Sequence, residues 1–309
     1  MGPPAWAYRA SNCFRRINLS YLTPLVLDAA RLAAWIDEQP TYLGDSWLSS
    51  LEARKREEAA FHDHDRLDHR DEDPRGAPNR RFYEAASIVS AHITTWLREH
   101  AAGRVVLDYA CGNGALTRKA AADGAALAVG IDISEVSIRG AAEQAREAGL
   151  VGRTRFLQRD CEQTLLPDES FDMCLCLGML HHIDLAKGFP ELARLMRAGG
   201  RILCVEALGY NPLIRAYRRL TPQLRTAWEK DHILTYRELD LAKAWFTIEN
   251  VRFFLLAAPL ATLLPAGLPR RVGLTVAHGI DRVLTSVPGL RLWSWMFSFE
   301  LVKAPTHVA

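Results

Sequence analysis

The feature that most constrains this chain is an alternation, between residues 104 and 208, of short continuous apolar runs with segments of helical period. The runs are 104–110 (RVVLDYA), 126–133 (ALAVGIDI), 154–160, 171–177 and 201–208 (RILCVEAL). Strands spaced by helices of about 10–15 residues imply βαβ units and a parallel sheet. The segments 82–101, 115–123, 134–148 and 185–196 read as those helices. Ser134 suits an N-cap, and Gly199-Gly200 reads as the stop signal of the last helix.

Outside this stretch the pattern changes. Residues 21–36 carry Leu25, Leu27, Leu32, Trp35 and Ile36 at helix-like intervals, which predicts a helix packed on a partner. Residues 61–81 have almost no apolar content and contain Pro74, Gly76 and Pro78, so a polar loop or lid is expected. Residues 246–255 read as a sixth strand. Trp293, Trp295, Phe297, Phe299 and Leu301 alternate with mostly smaller or polar residues, and that period of two predicts a last strand. The apolar, proline-rich stretch 257–290 between them predicts short helices. The chain then divides into an N-terminal helical cap and lid (1–81), a sheet core (82–208), a helical insert with the sixth strand (209–292), and a last strand and tail (293–309).

Charge excludes little but is informative where it is uneven. Lys and Arg number 38 against 36 Asp and Glu, a formal +2 that does not argue for nucleic acid. Residues 209–309 hold 13 Lys/Arg and 7 Asp/Glu, a bias that favours an anionic substrate or an acidic surface. Six cysteines lie mostly in strand-like runs, which reads as reduced thiols. The spacing Cys174-Leu175-Cys176 is taken to set the two thiols on opposite faces of a strand, suiting neither zinc nor a redox pair. Pro24, Asp28 and Arg31 interrupt any signal-like segment, and a cytoplasmic protein is expected. In 251–268, Arg252, Pro259, Pro265 and Gly267 break the apolar run, so no membrane span is read and peripheral membrane contact stays open.

The chemistry is concentrated at the strand ends. The first run leads into Asp108-Tyr109-Ala110-Cys111-Gly112-Asn113-Gly114. A glycine-rich turn there lets a ligand approach the backbone amides at a helix start. The second run ends in Asp132, where a carboxylate can accept both hydroxyls of a ribose. The third ends in Asp160-Cys161, placed to meet a base edge. Ligands of open α/β sheets bind at such carboxyl ends.

Taken in order, VLDYACGNG, GIDIS, RDC, FDMCLCLGMLHHI and LMRAGGRIL resemble the class I S-adenosylmethionine-dependent methyltransferases across about 105–208. The resemblance implies a Rossmann-like three-layer sandwich with a mostly parallel seven-stranded sheet and an antiparallel last strand. It also implies S-adenosyl-L-methionine as cofactor and S-adenosyl-L-homocysteine as product. Asp108, Cys111 and the Gly112/Gly114 turn would border the methionine portion. Asp132 would hold the ribose, with Ile133 beside the adenine and Asp160 and Cys161 flanking its amino group. Leu177 and Gly178 would lie near the methyl, and Tyr83 would reach the cofactor carboxylate. A nicotinamide oxidoreductase is the rival class, but Thr117 stands where its third glycine belongs. A non-catalytic cofactor-binding protein is the other.

On the acceptor side, His181, His182, Tyr210 and His232 are the candidate bases in that order, while the favoured reading of the histidine pair is that it only shapes the pocket. His62, His64 and His69 among aspartates read as a solvated lid, and no metal is expected. Arg215, Arg218 and Arg219 share a helical face that would clamp an anion or simply face solvent. Residues 206–234 resemble a subgroup of the family but depart from it at Ala207 and Tyr210, so no substrate is carried over. The expected activity is methyl transfer to a small, largely apolar metabolite of isoprenoid, polyketide or aromatic type. C-methylation of an alkene with coupled cyclisation is the alternative. Nucleic acid is not an expected partner, and the N-terminal helices are candidates for contacts between copies.

Overall fold

Buried aliphatic runs set the centre of the sheet, because strands covered on both faces must be apolar throughout. The structure, a computed structural model, describes residues 27–67 and 84–304. Seven strands, β1 (Val105–Tyr109), β2 (Leu127–Asp132), β3 (Thr154–Gln158), β4 (Phe171–Leu177), β5 (Met196–Ala207), β6 (Phe246–Phe254) and β7 (Met296–Lys303), form one sheet in the order β3-β2-β1-β4-β5-β7-β6. The first five run parallel, and β7 pairs antiparallel with both β5 and β6. This is the expected seven-stranded Rossmann-like sandwich.

Side-chain alternation divides the core. Leu107, Val129, Cys176, Phe297 and Phe299 pack one face against α1 (Ala29–Asp37), α7 (Leu185–Leu195) and α10 (Tyr236–Ala242). Val106, Ala128, Leu175 and Leu203 pack the other against α4 (Ser87–His100), α5 (Ala115–Ala122), α11 (Ala258–Ala261) and α12 (Leu268–Leu284). Phe156 of β3 packs on α6 (Glu135–Glu147), whose N-cap is Ser134. Leu32 and Ile36 of α1 are buried in the chain's own core. The remaining helices are α2 (Gly44–Ser50), α3 (Ala53–Leu67), α8 (Pro212–Leu220) and α9 (Ala227–Asp231).

Several expectations are corrected. The N-terminal helix starts at Ala29, where the Asp28 side chain accepts the Arg31 amide at 2.8 Å. The polar stretch does not begin as a loop: α3 carries helix through Leu67, because the first breaker is Pro74. Residues 68–83, with His69 and Tyr83, lie outside the described residues. Gly199-Gly200 does not end a helix; α7 stops at Leu195, and both glycines sit in β5, Gly199 at φ +73°. The last strand starts at Met296, after a 3-10 turn over Leu290–Trp293. Cys174 and Cys176 share a face, since residues two apart on a strand point the same way, and their sulfurs lie 3.8 Å apart. All five described cysteines are free thiols.

Gly114 is the tightest constraint on the first loop. It opens α5 at φ +68°, and a Cβ there would fall 2.6 Å from the Phe156 ring and 2.8 Å from Ala141. Gly114→Ala should therefore lower unfolding free energy by about 2–4 kcal/mol, combining left-handed strain with overpacking. Urea denaturation measures this; an unchanged midpoint would contradict the packing described.

Candidate active site

The parallel strands deliver their carboxyl ends to one edge of the sheet, and a cleft of about 230 Å³ opens there. Ala110, Gly112, Asp132 and Ile133 line it from the first two strand ends, and Asp160 and Cys161 from the third. Leu177, Gly178, Met179, His182 and Ile183 follow β4 into the same cleft. The opposite wall is α3, through Arg54, Lys55, Glu58 and His62.

Asp132 organises the first loop. One carboxylate oxygen accepts the Gly112 amide at 2.8 Å and the other the Ser134 amide at 2.9 Å. Each oxygen keeps a lone pair for a further donor. The Cys111 amide returns to the Ile131 carbonyl at 2.8 Å, and its side chain packs beside α6. Asp108 lies buried behind the loop, accepting the Thr117 hydroxyl at 2.7 Å. Burial pushes its pKa up to about 6, only partly countered by Thr117. The residue in the third-glycine position thus serves Asp108.

Asp160 is bound on both oxygens. One takes the Glu162 amide at 2.9 Å and the other the Lys55 ammonium at 2.6 Å. Lys55 also meets Glu162 at 2.8 Å, and Arg54 reaches the second oxygen of Glu162 at 2.6 Å. Burial alone would depress the Lys55 pKa; its two carboxylates outweigh burial and raise it.

The two histidines have separate carboxylates. His181 Nδ1 lies 2.6 Å from Glu206, whose other oxygen accepts the Met179 and Leu180 amides at 2.8 and 2.7 Å. His181 Nε2 is 3.8 Å from Glu229, which Arg218 holds at 3.0 Å. His182 Nδ1 is 2.9 Å from Glu58, and the Thr226 hydroxyl donates to the second Glu58 oxygen. Burial would lower the His182 pKa, but the Glu58 carboxylate overcomes it and raises it, while His182 and Thr226 hold Glu58 low against its own burial. His62 Nε2 stands 3.7 Å from the same Glu58 oxygen. The donor atoms of Glu58, His62 and His182 lie within 4.8 Å of one another, as do those of His181, His182 and Glu229.

Of the four candidate bases, only His182 lines this cleft, and His181 sits behind it at 4.2 Å between ring centroids. Tyr210 accepts the Tyr236 amide at 3.2 Å, and His232 stacks on Trp228 at 3.6 Å; neither lines the cleft. His62 belongs to the cleft wall rather than to a solvated lid, whereas His64 is exposed. Arg215, Arg218 and Arg219 line a separate cavity of about 330 Å³ with Lys230. Sequence reasoning missed Arg54, Lys55, Glu58, Glu206 and Glu229. A signal existed for some of them: Arg54, Glu58 and His62 recur every four residues, hence on one helical face.

A family model described as a methyltransferase domain matches residues 106–200. The ubiquinone/menaquinone biosynthesis C-methyltransferase of Idiomarina loihiensis is 30% identical over 109 residues, 34% of this chain and 43% of that protein. The 27-O-demethylrifamycin SV methyltransferase of Amycolatopsis mediterranei is 31% identical over 129 residues, 39% of this chain and 47% of that one. The matched segment thus spans less than half of these relatives. A geranyl diphosphate C-methyltransferase from Streptomyces coelicolor, solved with Mg2+, geranyl diphosphate and S-adenosyl-L-homocysteine, superposes with a TM-score of 0.57 at 15% identity, covering 83% of this chain and 99% of that chain. At that identity the likeness is one of fold. Through residues 106–200 the chain carries a segment that matches the methyltransferase-domain family and is similar in sequence to methyltransferases.

Proposed function

We propose that the protein transfers the methyl group of S-adenosylmethionine to a small, largely apolar acceptor that gives up a proton. The observation that carries this reading is the pairing, in one cleft, of the Asp132-anchored loop with the Glu58–His182 contact. The residues fit the cofactor: the loop has no side chain at Gly112 or Gly114, and Asp132 keeps a free lone pair on each oxygen. When bound, the cofactor supplies an electrophilic methyl group on a sulfonium. Asp132 would hold the ribose, Ile133 and Cys161 would contact the adenine, and Asp160 would exchange or share Lys55 with the adenine amino group. Asp108, Cys111 and Gly114 support the loop from behind, and Leu177 and Gly178 would border the methyl.

The chain's own work is alignment, exclusion of water and removal of one proton. Glu58 orients His182 with a proton on Nδ1, leaving Nε2 as the basic nitrogen. Methyl transfer forms the acceptor–carbon bond as the sulfur–carbon bond breaks, and Nε2 takes the acceptor proton. His181, clamped between Glu206 and Glu229, positions the His182 ring. A carboxylate-oriented histidine in the lining is what supports a proton-releasing acceptor over an alkene. The names of the two relatives, in quinone and rifamycin biosynthesis, support an apolar natural-product acceptor. Tyr210 and His232 carry no step in this mechanism.

Two measurements test it. Asp132→Ala should weaken S-adenosyl-L-homocysteine at least tenfold by titration calorimetry, about 1.4 kcal/mol or more; unchanged affinity would displace the cofactor site. The His182 ring should titrate above the ordinary histidine pKa by NMR. Because the neutral ring is the base, turnover should rise with pH through that value, and Glu58→Gln should move the titration to lower pH. A midpoint indifferent to Glu58 would remove the dyad from the mechanism.

A further inference from the structure

The helix α12 has only Ala277 and Asp281 fully buried, although half of its residues are apolar. Its exposed side chains are not scattered. Leu268, Val272, Val276, Ile280 and Val283 are 74, 54, 56, 46 and 68% exposed. At about 100° per residue they fall within an arc of roughly 120°, turned away from the Ala277 side that meets the core. The short helix α11 extends the same face. Leu264 packs over Gly273, where a Cβ would meet it at 2.3 Å, and the neighbouring Leu260 and Leu263 are each 66% exposed. A contiguous apolar face of this size calls for an occupant.

Charge identifies the occupant. Between residues 257 and 295 the chain has four arginines and a single acid, Asp281. That acid is buried and accepts the amides of Leu256, Ala257 and Ala258. With Arg270 paired to Glu84 at 2.8 Å, the surface of this segment presents two exposed arginines and no carboxylate of its own. Arg271 and Arg282 are exposed on α12. Arg282 and Arg291 also line a groove of about 590 Å³ between α4, β6 and α12, with Arg252 and His92. A helix with an apolar arc bordered on one side by exposed arginines has the composition of an element that lies in a membrane interface. Among the described residues no helix is long and apolar enough to cross a membrane, so this one would lie along it.

We propose that the α11–α12 face docks the protein on an anionic lipid bilayer, with the apolar arc in the headgroup–acyl boundary and the arginines on lipid phosphates. A protein acting on an apolar acceptor would thereby sit beside the phase into which such acceptors partition. The inference does not rest on the proposed methyl transfer and is read without turnover.

The test is co-sedimentation of the full chain with sucrose-loaded vesicles of phosphatidylcholine alone or with 30% phosphatidylglycerol, a composition on the order of biological anionic content. The native chain should bind the anionic vesicles at least tenfold more tightly than the neutral ones, and raised salt should weaken this. Val276→Glu with Ile280→Glu should reduce binding at least tenfold. Arg271→Ser with Arg282→Ser should erase the preference for anionic lipid. Circular dichroism melting and S-adenosyl-L-homocysteine affinity should stay unchanged in both, since neither pair touches the cleft. The proposal is overturned if the native chain does not bind vesicles, or if the glutamate variant binds equally well. It is also overturned if light scattering shows a dimer that the glutamates disrupt while lipid binding is absent, because the face would then belong to a second copy.

Discussion

The site depends on the two bonds that Asp132 makes to backbone amides. A carboxylate at the end of β2 holds Gly112 on one side and Ser134 on the other, so the loop after β1 and the start of α6 are tied to one group. Charge-assisted bonds of this kind are short and directional. They fix the amides of the glycine-rich turn while leaving lone pairs for a ligand. The sheet makes this arrangement inescapable, because β1 and β2 are parallel and adjacent and their carboxyl ends reach the same edge. Gly114 is then required by packing against Phe156, and Asp108 by its bond to Thr117.

The opposite wall follows a different logic. The helix α3 is strongly polar, yet Lys55 and Glu58 are among the chain's buried charged residues. An unpaired charge in such a place would cost several kcal/mol. Here each one is answered: Lys55 by Asp160 and Glu162, Arg54 by Glu162, and Glu58 by His182 and Thr226. Asp63 adds a bond to Ser134, joining this wall to the same N-cap that Asp132 holds. That side of the cleft is therefore held by ion pairs and hydrogen bonds made within the chain. Both Asp160 oxygens are engaged within the chain, one by Lys55 and the other by the Glu162 amide, so a further donor at that carboxylate would have to share or displace one of them.

What the sequence disclosed divides along this line. Strand runs, the Ser134 cap and the glycine turn are legible because local chemistry dictates them: apolar burial, a hydroxyl facing free amides, a backbone that tolerates no Cβ. The antiparallel β7 was legible by its period of two, although Trp293 and Trp295 continued the alternation beyond the strand itself. The wall was not legible, because a charged helix reads as solvated until its partners are known, and those partners lie about a hundred residues away, as with Lys55 and Asp160. Parity misled at Cys174 and Cys176. Gly199-Gly200 misled because a helix stop and an irregular strand opening both ask for a left-handed residue.

The histidine doublet shows why adjacency in sequence does not settle role. His181 and His182 are neighbours in a single 3-10 turn, and such a turn sends consecutive side chains in different directions. His181 faces Glu206, a carboxylate at the end of β5 that is fully buried and also holds two amides of the turn. That geometry locks the turn to the sheet. His182 faces Glu58 on α3, reaching from the rigid sheet edge to the helical wall. One histidine is thus bound to the scaffold and the other bridges scaffold and wall across the cleft. Only the bridging one is both oriented by a carboxylate and set in the lining, which is what a proton acceptor needs and what no spacing rule could have distinguished.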